Sequence, residues 1–143
     1  MTPMSESEAY AFLSEGKRTG KVATVRAGGR PHVVPIWFVV DGTDLLFMTG
    51  ADTVKGKSLA RDPRLALTVD LEEPPYAFVT VEGTVTLSDD AAAMLPHSIA
   101  IGVRYMGSDR GEEFGRRNAV PGELLVRLAP SKVIGVGVGD LTS

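Results

Sequence analysis

The chain has 143 residues, of which 43% are hydrophobic and 23% are charged, and its formal net charge is −3. These values predict one globular domain over residues 1–143 and give no general attraction to nucleic acid or to a membrane surface. The chain has no cysteine and only two histidines, which excludes disulfides, thiolate metal sites, cysteine nucleophiles and multi-histidine metal sites.

The N-terminal residues, Met1-Thr2-Pro3-Met4, show no basic region followed by an apolar stretch. We therefore expect no signal peptide. No apolar run approaches the roughly 20 residues of a membrane span, so a cytoplasmic location is expected. Ser5 to Glu8 fit a capping box, which predicts a short helix that continues to about Glu15 and ends at Gly16.

From Gly20 onward the hydrophobic pattern changes from the period of a helix to that of strands. Turns rich in glycine and aspartate separate the apolar runs, which indicates an antiparallel meander. A loop at 50–52 then leads into a short helix over 53–61, which should end before Pro63 because the residue preceding a proline disfavours helix. The strands predicted in this half are 20–26, 31–40 and 45–49.

In the second half, residues 77–87 alternate most regularly, with apolar side chains on one face and polar ones on the other. Helical stretches are expected on both sides of Pro96, which should interrupt them. The polar, glycine-rich stretch 107–122 is expected to be a surface loop, and Pro130-Ser131 to be a turn. The other strands predicted in this half are 65–70, 124–128 and 133–138.

The total is six or seven short strands with two or three peripheral helices. Most connections are too short for the crossovers of a parallel sheet, which need a dozen or more residues. Closure into a barrel would remove the exposed sheet edges. The sequence therefore predicts a mainly β fold, an antiparallel barrel with peripheral helices.

The segment from Phe47 to Leu59 is the most informative for chemistry, because a strand ends, a glycine-containing loop follows and a helix begins. Helix N-termini present unpaired N–H groups and a partial positive charge, which suits an anion. Thr53 can cap this helix, and its hydroxyl can also donate to a phosphate. Lys55 and Lys57 lie against the helix dipole, which indicates another use for their charge. A solvated, lysine-rich helix face is the alternative interpretation.

Three stretches together resemble one known superfamily. They are the runs 20–25 and 29–38, the pattern Thr53-x-Lys55-x-Lys57-Ser58-Leu59 continuing to Arg64, and the run 81–85 with Arg104-Tyr105-x-Gly107 later. In this order the sequence resembles the pyridoxamine-5′-phosphate-oxidase-like split-barrel superfamily. It is most similar to the branch that uses the deazaflavin coenzyme F420 in place of FMN, since it lacks the C-terminal substrate motif of the pyridoxamine phosphate oxidases.

The resemblance implies a homodimer with cofactor clefts between two split barrels. It places the cofactor phosphate at Thr53, Val54, Lys55 and Lys57. Trp37, the single tryptophan, would contact the ring or would instead be a core or interface aromatic. The residues implied to line the ring are Val34, Pro35, Ile36, Trp37, Met48 and Thr49.

The resemblance implies an F420-dependent oxidoreductase that transfers a hydride from the reduced deazaflavin to a conjugated small molecule. The cofactor carries that chemistry, so no catalytic residue and no metal site is assigned. One alternative is an FMN-dependent oxidase or reductase of the same fold. Another is a protein that binds F420, flavin or haem without turnover, with His32 or His97 as the haem ligand.

Overall fold

The meander predicted for the first half is present in the computed structural model, which describes residues 1–139. The predicted domain extends to Ser143, and its last residues lie outside the described ones. The strands are β1 (Thr2–Pro3), β2 (Gly20–Val25), β3 (Pro31–Ile36), β4 (Phe38–Asp41), β5 (Asp44–Gly50), β6 (Arg64–Leu71), β7 (Tyr76–Ser88) and β8 (Glu123–Gly139). The helices are α1 (Glu6–Ser14), α2 (Val54–Arg61), α3 (Ala91–Met106) and α4 (Ser108–Asn118).

The strands form one antiparallel sheet in the order β3-β2-β6-β7-β8-β5-β4, with β1 added to β8. The two end strands, β3 and β4, are consecutive in the chain and are joined through Trp37. The sheet therefore curls until its two ends meet at this residue. The fold is a split barrel, as the sequence and its resemblance predict.

The apolar run 31–40, predicted as one strand, is broken at Trp37. Pro31 and Pro35 lack an N–H, so this segment suits the edge of a sheet, and β3 pairs with β2 alone. After the break, β4 pairs with β5 from Phe38–Phe47 to Asp41–Asp44. Beyond the Phe38–Phe47 pair, β3 pairs with β2 and the end of β5 pairs with β8, so β3 and β5 diverge, and this divergence is the split.

The main core lies inside the curled sheet. It is formed by the inward side chains of the strands together with Phe12 and Leu13 of α1 and Leu59 of α2. The alternation predicted for 77–87 is confirmed, because Val79, Val81 and Val85 are buried in this core. A smaller cluster of Leu46, Met94 and Leu125 packs α3 against the outer face of β5 and β8.

The turn predicted at Pro130-Ser131 is wrong, because β8 is one continuous strand. Its register against β7 shifts at this point: Glu82 pairs with Lys132 while Gly83 pairs with Pro130, so Ser131 is the extra residue of a bulge. A Cβ on Gly83 would lie 2.2 Å from the Ala129 carbonyl oxygen. Glycine permits the close approach of the two strands that the bulge requires.

The interruption predicted at Pro96 and the surface loop predicted over 107–122 are also wrong. Helix α3 runs through Pro96, with its N-terminus capped by the Asp90 carboxylate, which accepts from the Ala92 and Ala93 N–H groups. The glycine-rich stretch forms α4, which packs closely on α3. None of the helices in residues 1–139 has the length and hydrophobicity needed to cross a bilayer.

Candidate functional site

A pocket of about 360 Å³ lies at the split in the sheet. This volume is at the lower end of the range for small-molecule sites. One wall comes from β3 and Trp37, another from β5, and the rest from α2, α3, α4 and the start of β8. The residues that line it are Pro35, Ile36, Trp37, Met48, Thr49, Gly50, Lys55, Ile101, Phe114, Asn118 and Glu123.

Most of the residues that the sequence predicts for the site lie at this pocket, but four do not. Val34 points to the inner face of the sheet and packs against the main core. Val54 and Lys57 are exposed on α2 outside the pocket, and Thr53 is exposed at the start of α2 and does not line the pocket. The predicted residues that the fold brings together are Pro35, Ile36, Trp37, Met48, Thr49 and Lys55.

Thr53 is the N-cap of α2, as predicted. Its hydroxyl accepts from the Gly56 N–H at 3.1 Å and donates to the Gly50 carbonyl oxygen at 2.7 Å. Its oxygen is also 3.0 Å from the Thr49 hydroxyl, and because a hydroxyl has one proton, Thr49 is the donor in that contact. The Thr53 proton predicted for a phosphate is therefore already used within the turn.

The turn between β5 and α2 is also held by close backbone packing. A Cβ on Gly56 would lie 2.3 Å from the Gly50 carbonyl oxygen, so only glycine fits there without moving the loop. The first amides of α2, those of Val54 and Lys55, have no acceptor within the helix. Helix α2 thus begins with two N–H groups that have no helical acceptor, and Lys55 of this first turn lines one end of the pocket.

Lys55 and Glu123 give the pocket its electrostatic character. Lys55 is half-buried, and burial lowers the pKa of its ammonium group, while the nearby Glu123 carboxylate partly offsets this. Burial likewise raises the pKa of Glu123, and Lys55 opposes that change. A lysine whose charge is poorly solvated is a good partner for an incoming anion, because the anion restores the lost stabilisation.

The opposite end of the pocket is aromatic. The indole of Trp37 stacks on Tyr105 with centroids 4.9 Å apart and planes 5° from parallel, and it contacts Phe114 at 5.3 Å. The Tyr105 hydroxyl accepts from the Phe38 N–H and donates to the Arg18 carbonyl. Trp37 is therefore fixed at the strand break by contacts from both α3 and α4, which form a helical hairpin.

Arg104, next to Tyr105 in the chain, stabilises the fold through hydrogen bonds to backbone carbonyls. Its guanidinium donates to the Phe38 carbonyl at 2.7 Å and to the Leu13 carbonyl at 2.8 Å. It also donates to Gly16 beyond the end of α1. These bonds tie the end of α1, the start of β4 and the end of α3 together, and they explain the Arg104-Tyr105 pair without a ligand.

Sequence reasoning missed four residues of the pocket, Ile101, Phe114, Asn118 and Glu123. Three of them lie on α3 and α4, and Phe114 and Asn118 fall within the segment taken for a loop. The glutamate–arginine pairs at spacing four, Glu112–Arg116 and Glu113–Arg117, are the signal that could have identified the helix.

The pocket combines a half-buried lysine and a carboxylate, Lys55 and Glu123, with apolar and aromatic side chains. Within residues 1–139, neither His32 nor His97 lines this pocket, so a haem ligand has no support there. No group of three or more metal-binding side chains occurs in the same residues. The fold and the pocket define a split-barrel protein whose cleft has one charged end, with Lys55 and Glu123, and one aromatic end.

Comparison with known proteins identifies the family. Residues 6–137 match the pyridoxamine 5′-phosphate oxidase family, and the chain belongs to it. No curated protein matches the sequence.

Among solved structures, a conserved hypothetical protein from Mycobacterium tuberculosis has a TM-score of 0.79 at 22% identity, covering 98% of this chain and 95% of that one. An F420 reductase has a TM-score of 0.69 at 25% identity, covering 87% and 94%. An FAD-binding protein from Mycobacterium smegmatis has a TM-score of 0.62 at 21% identity, covering 94% and 98%.

Proposed function

We propose that this protein is an F420-dependent oxidoreductase that reduces a conjugated small molecule. The observation that carries the proposal is Lys55, a half-buried lysine at the end of an apolar pocket, next to the open amides of a helix N-terminus. Of the two lysines predicted for the phosphate, it alone lies in the pocket. The residues present fit a cofactor that has a phosphate at one end and a flat ring at the other.

The phosphate would be held by the Lys55 ammonium and by the backbone N–H groups of Val54 and Lys55. Thr53 would act indirectly, by fixing the turn that presents them. Lys57 would contribute only a long-range attraction, because its side chain is exposed outside the pocket. This division narrows the assignment implied by the resemblance, in which Lys55 holds the phosphate with help from the Thr53 hydroxyl and from Lys57.

The ring would lie between the end of β3 and β5, against Pro35, Ile36 and Met48. These side chains and Trp37 would exclude water from one face of the ring and would leave the other face for substrate. When bound, the reduced deazaflavin supplies the hydride, and the protein supplies binding and orientation. No side chain in the pocket has to act as an obligatory acid or base.

The choice of F420 over FMN is supported by the relatives. The F420 reductase reaches 25% identity over most of both chains. The FAD-binding protein from Mycobacterium smegmatis is 21% identical and supports the fold alone. FMN is the alternative cofactor for the same pocket, since a phosphate and a tricyclic ring are common to both.

We also propose that two copies form the working unit. Among residues 1–139, the outer face of β2, β3, β6 and the distal part of β8 exposes Val25, Val33 and Ile134 by 42%, 66% and 44%. Pro35 lies on this face and also lines the pocket, so a second copy seated there would border the cleft.

The proposal is tested by titrating the purified protein with F420 and with FMN. Trp37 is the single tryptophan and lines the pocket, so its fluorescence should respond to ring binding. Loss of a charge-assisted contact worth about 1.5–3 kcal/mol should weaken binding in Lys55→Ala by about tenfold or more. The matched control, Lys57→Ala, removes an exposed lysine two residues away and should change affinity little.

The outcomes separate the candidates. Tight binding of F420 and oxidation of its reduced form by an enone or quinone would support the proposal. A yellow protein with an FMN spectrum would favour the FMN alternative. Absence of binding to either cofactor, or equal affinity of Lys55→Ala and the wild type, would overturn it.

A further inference from the structure

Glu123 is the one feature of the pocket that does not suit an anion. Within residues 1–139, Lys55 and Glu123 are the two charged side chains in the pocket lining. The other elements that border it contribute uncharged groups, such as Pro35 from β3, Thr49 from β5 and Asn118 from α4. A carboxylate in this position repels a phosphate, and the repulsion is strong because the pocket is partly shielded from water.

The position of Glu123 is built into the fold. Glu123 is the first residue of β8 and pairs with Gly50, the last residue of β5. Its N–H donates to the Val120 carbonyl at 3.1 Å, and the Ala51 N–H donates to the Gly122 carbonyl at 2.9 Å. The same turn that leads into α2 and Lys55 is therefore held directly against the backbone of Glu123.

The two side chains balance each other without pairing closely. Neither takes part in an ion pair or a side-chain hydrogen bond among residues 1–139. Each charge nevertheless shifts the pKa of the other group. Burial raises the pKa of Glu123 above its ordinary value of 4.5. The carboxylate is therefore a group that can accept a proton when its surroundings become more negative.

We propose that Glu123 is the counter-charge of Lys55 in the free protein and takes up one proton from solvent when the phosphate of the cofactor binds. It is a positioning and affinity-setting residue that reacts with neither cofactor nor substrate. The inference rests on the proposed function, because it assumes a phosphate at Lys55. The carboxylate becomes a carboxylic acid, and no other bond is made or broken.

The direction of the pH dependence follows from the linkage between proton uptake and cofactor binding. The bound phosphate raises the pKa of Glu123 further, so the bound protein holds more protons than the free one. The affinity is therefore highest when Glu123 is protonated in both states, and it falls as the pH rises through the free-protein pKa of Glu123. A rise of about one unit in that pKa on binding corresponds to about a tenfold loss of affinity at high pH.

The experiment compares the wild type with Glu123→Gln, which resembles the protonated side chain at every pH. The Kd for F420, and separately for FMN, is measured from about pH 5 to about pH 9 by Trp37 fluorescence. The ratio of wild-type to variant Kd removes the pH dependence that the two proteins share and leaves the part that depends on the Glu123 carboxylate. We expect this ratio to be close to one at low pH and to rise to about tenfold at high pH.

Proton uptake is measured independently by calorimetry in two buffers that differ in ionisation enthalpy. The wild type should take up protons on binding near the pKa of Glu123, and Glu123→Gln should take up fewer. The matched control is Glu73→Gln, which removes an exposed carboxylate of the loop between β6 and β7, away from this pocket. The control should behave as the wild type.

Three outcomes would contradict the inference about Glu123, and they differ in what they say about the proposed function. If the cofactor binds and Lys55→Ala weakens it, but the Kd ratio stays flat with pH, the inference is wrong and the proposed function stands. If Glu123→Gln binds more weakly at all pH values, Glu123 holds the ligand by a direct hydrogen bond and the inference is again wrong. If neither cofactor binds at any pH, the proposed function fails and the inference fails with it.

Discussion

Thr53 shows how one hydroxyl can organise a site without touching its ligand. It accepts from the Gly56 N–H, donates to the Gly50 carbonyl and accepts from the Thr49 hydroxyl. Its hydrogen-bonding capacity is then fully used. The sequence pattern alone placed Thr53 correctly as a cap, but it could not show that the proton is already committed to Gly50.

Replacing Thr53 tests this assignment. Thr53→Ala should lower the free energy of unfolding by about 1 kcal/mol, as expected for loss of an N-cap, and should also weaken F420 binding because the turn loosens. Thr53→Ser keeps the hydroxyl and should retain both properties. Urea denaturation and fluorescence titration measure the two effects. A Thr53→Ala protein of wild-type stability with reduced affinity would instead indicate direct contact with the phosphate.

At the scale of elements, the α3–α4 hairpin supplies three of the eleven residues that line the pocket and was the least predictable part of the chain. Glycine and polar residues suggest a loop when each is judged by its own propensity. In the structure, glycines of α4 lie directly against the backbone of α3. A Cβ on Gly111 would lie 2.5 Å from the Val103 nitrogen, and one on Gly115 would lie 2.5 Å from the Ile99 Cα. Tertiary packing thus overrides local propensity here.

Pro96 was misjudged for a related reason. A proline in a helix interior costs one hydrogen bond and crowds the preceding turn. Helix α3 continues nevertheless, because Asp90 caps it and Ser98, Ile101 and Gly102 are buried beyond the proline. Ser98 also donates to the Gly115 carbonyl at 3.0 Å, which joins the two helices just after that point.

The glycine contacts lead to a prediction for the hairpin. Gly111→Ala should lower the free energy of unfolding by about 1–3 kcal/mol, because the methyl group meets helix backbone that cannot move aside. It should also shift the emission of Trp37, since Phe114 on the same helix contacts the indole. Arg110→Ala, an exposed neighbour on α4, is the control. Unchanged stability and emission in Gly111→Ala would mean that the helices can separate freely.

At the scale of the whole molecule, the strand pattern was the most predictable feature. Alternating burial in β7 and the glycine-containing turns between β2 and β3 and between β4 and β5 are local properties, and they made the antiparallel pairing of those strands predictable. The meeting of the two ends of the sheet at Trp37 was harder to predict from the sequence, because it depends on where β4 stops pairing with β5. The pocket arises from that divergence, so its residues from β3 and β5 were reached only through the family resemblance.

The last prediction concerns the uncovered outer face of the sheet. An exposed Val33 on an edge strand, next to a pocket that opens on the same face, is the arrangement expected where two copies meet. Val33→Glu would place a charge in that contact and should convert the dimer to a monomer in sedimentation equilibrium. Because Val33 faces outward, the fold of each copy should survive, as circular dichroism can check.

The control for this substitution is Val120→Glu, which adds the same charge at a valine 39% exposed in the turn between α4 and β8, away from that face. It should remain dimeric. Since Pro35 borders both the pocket and the face, the monomeric Val33→Glu protein should also bind F420 more weakly. A wild type that sediments as a monomer would refute the dimer, whereas a dimeric Val33→Glu protein would show that the copies meet through another surface.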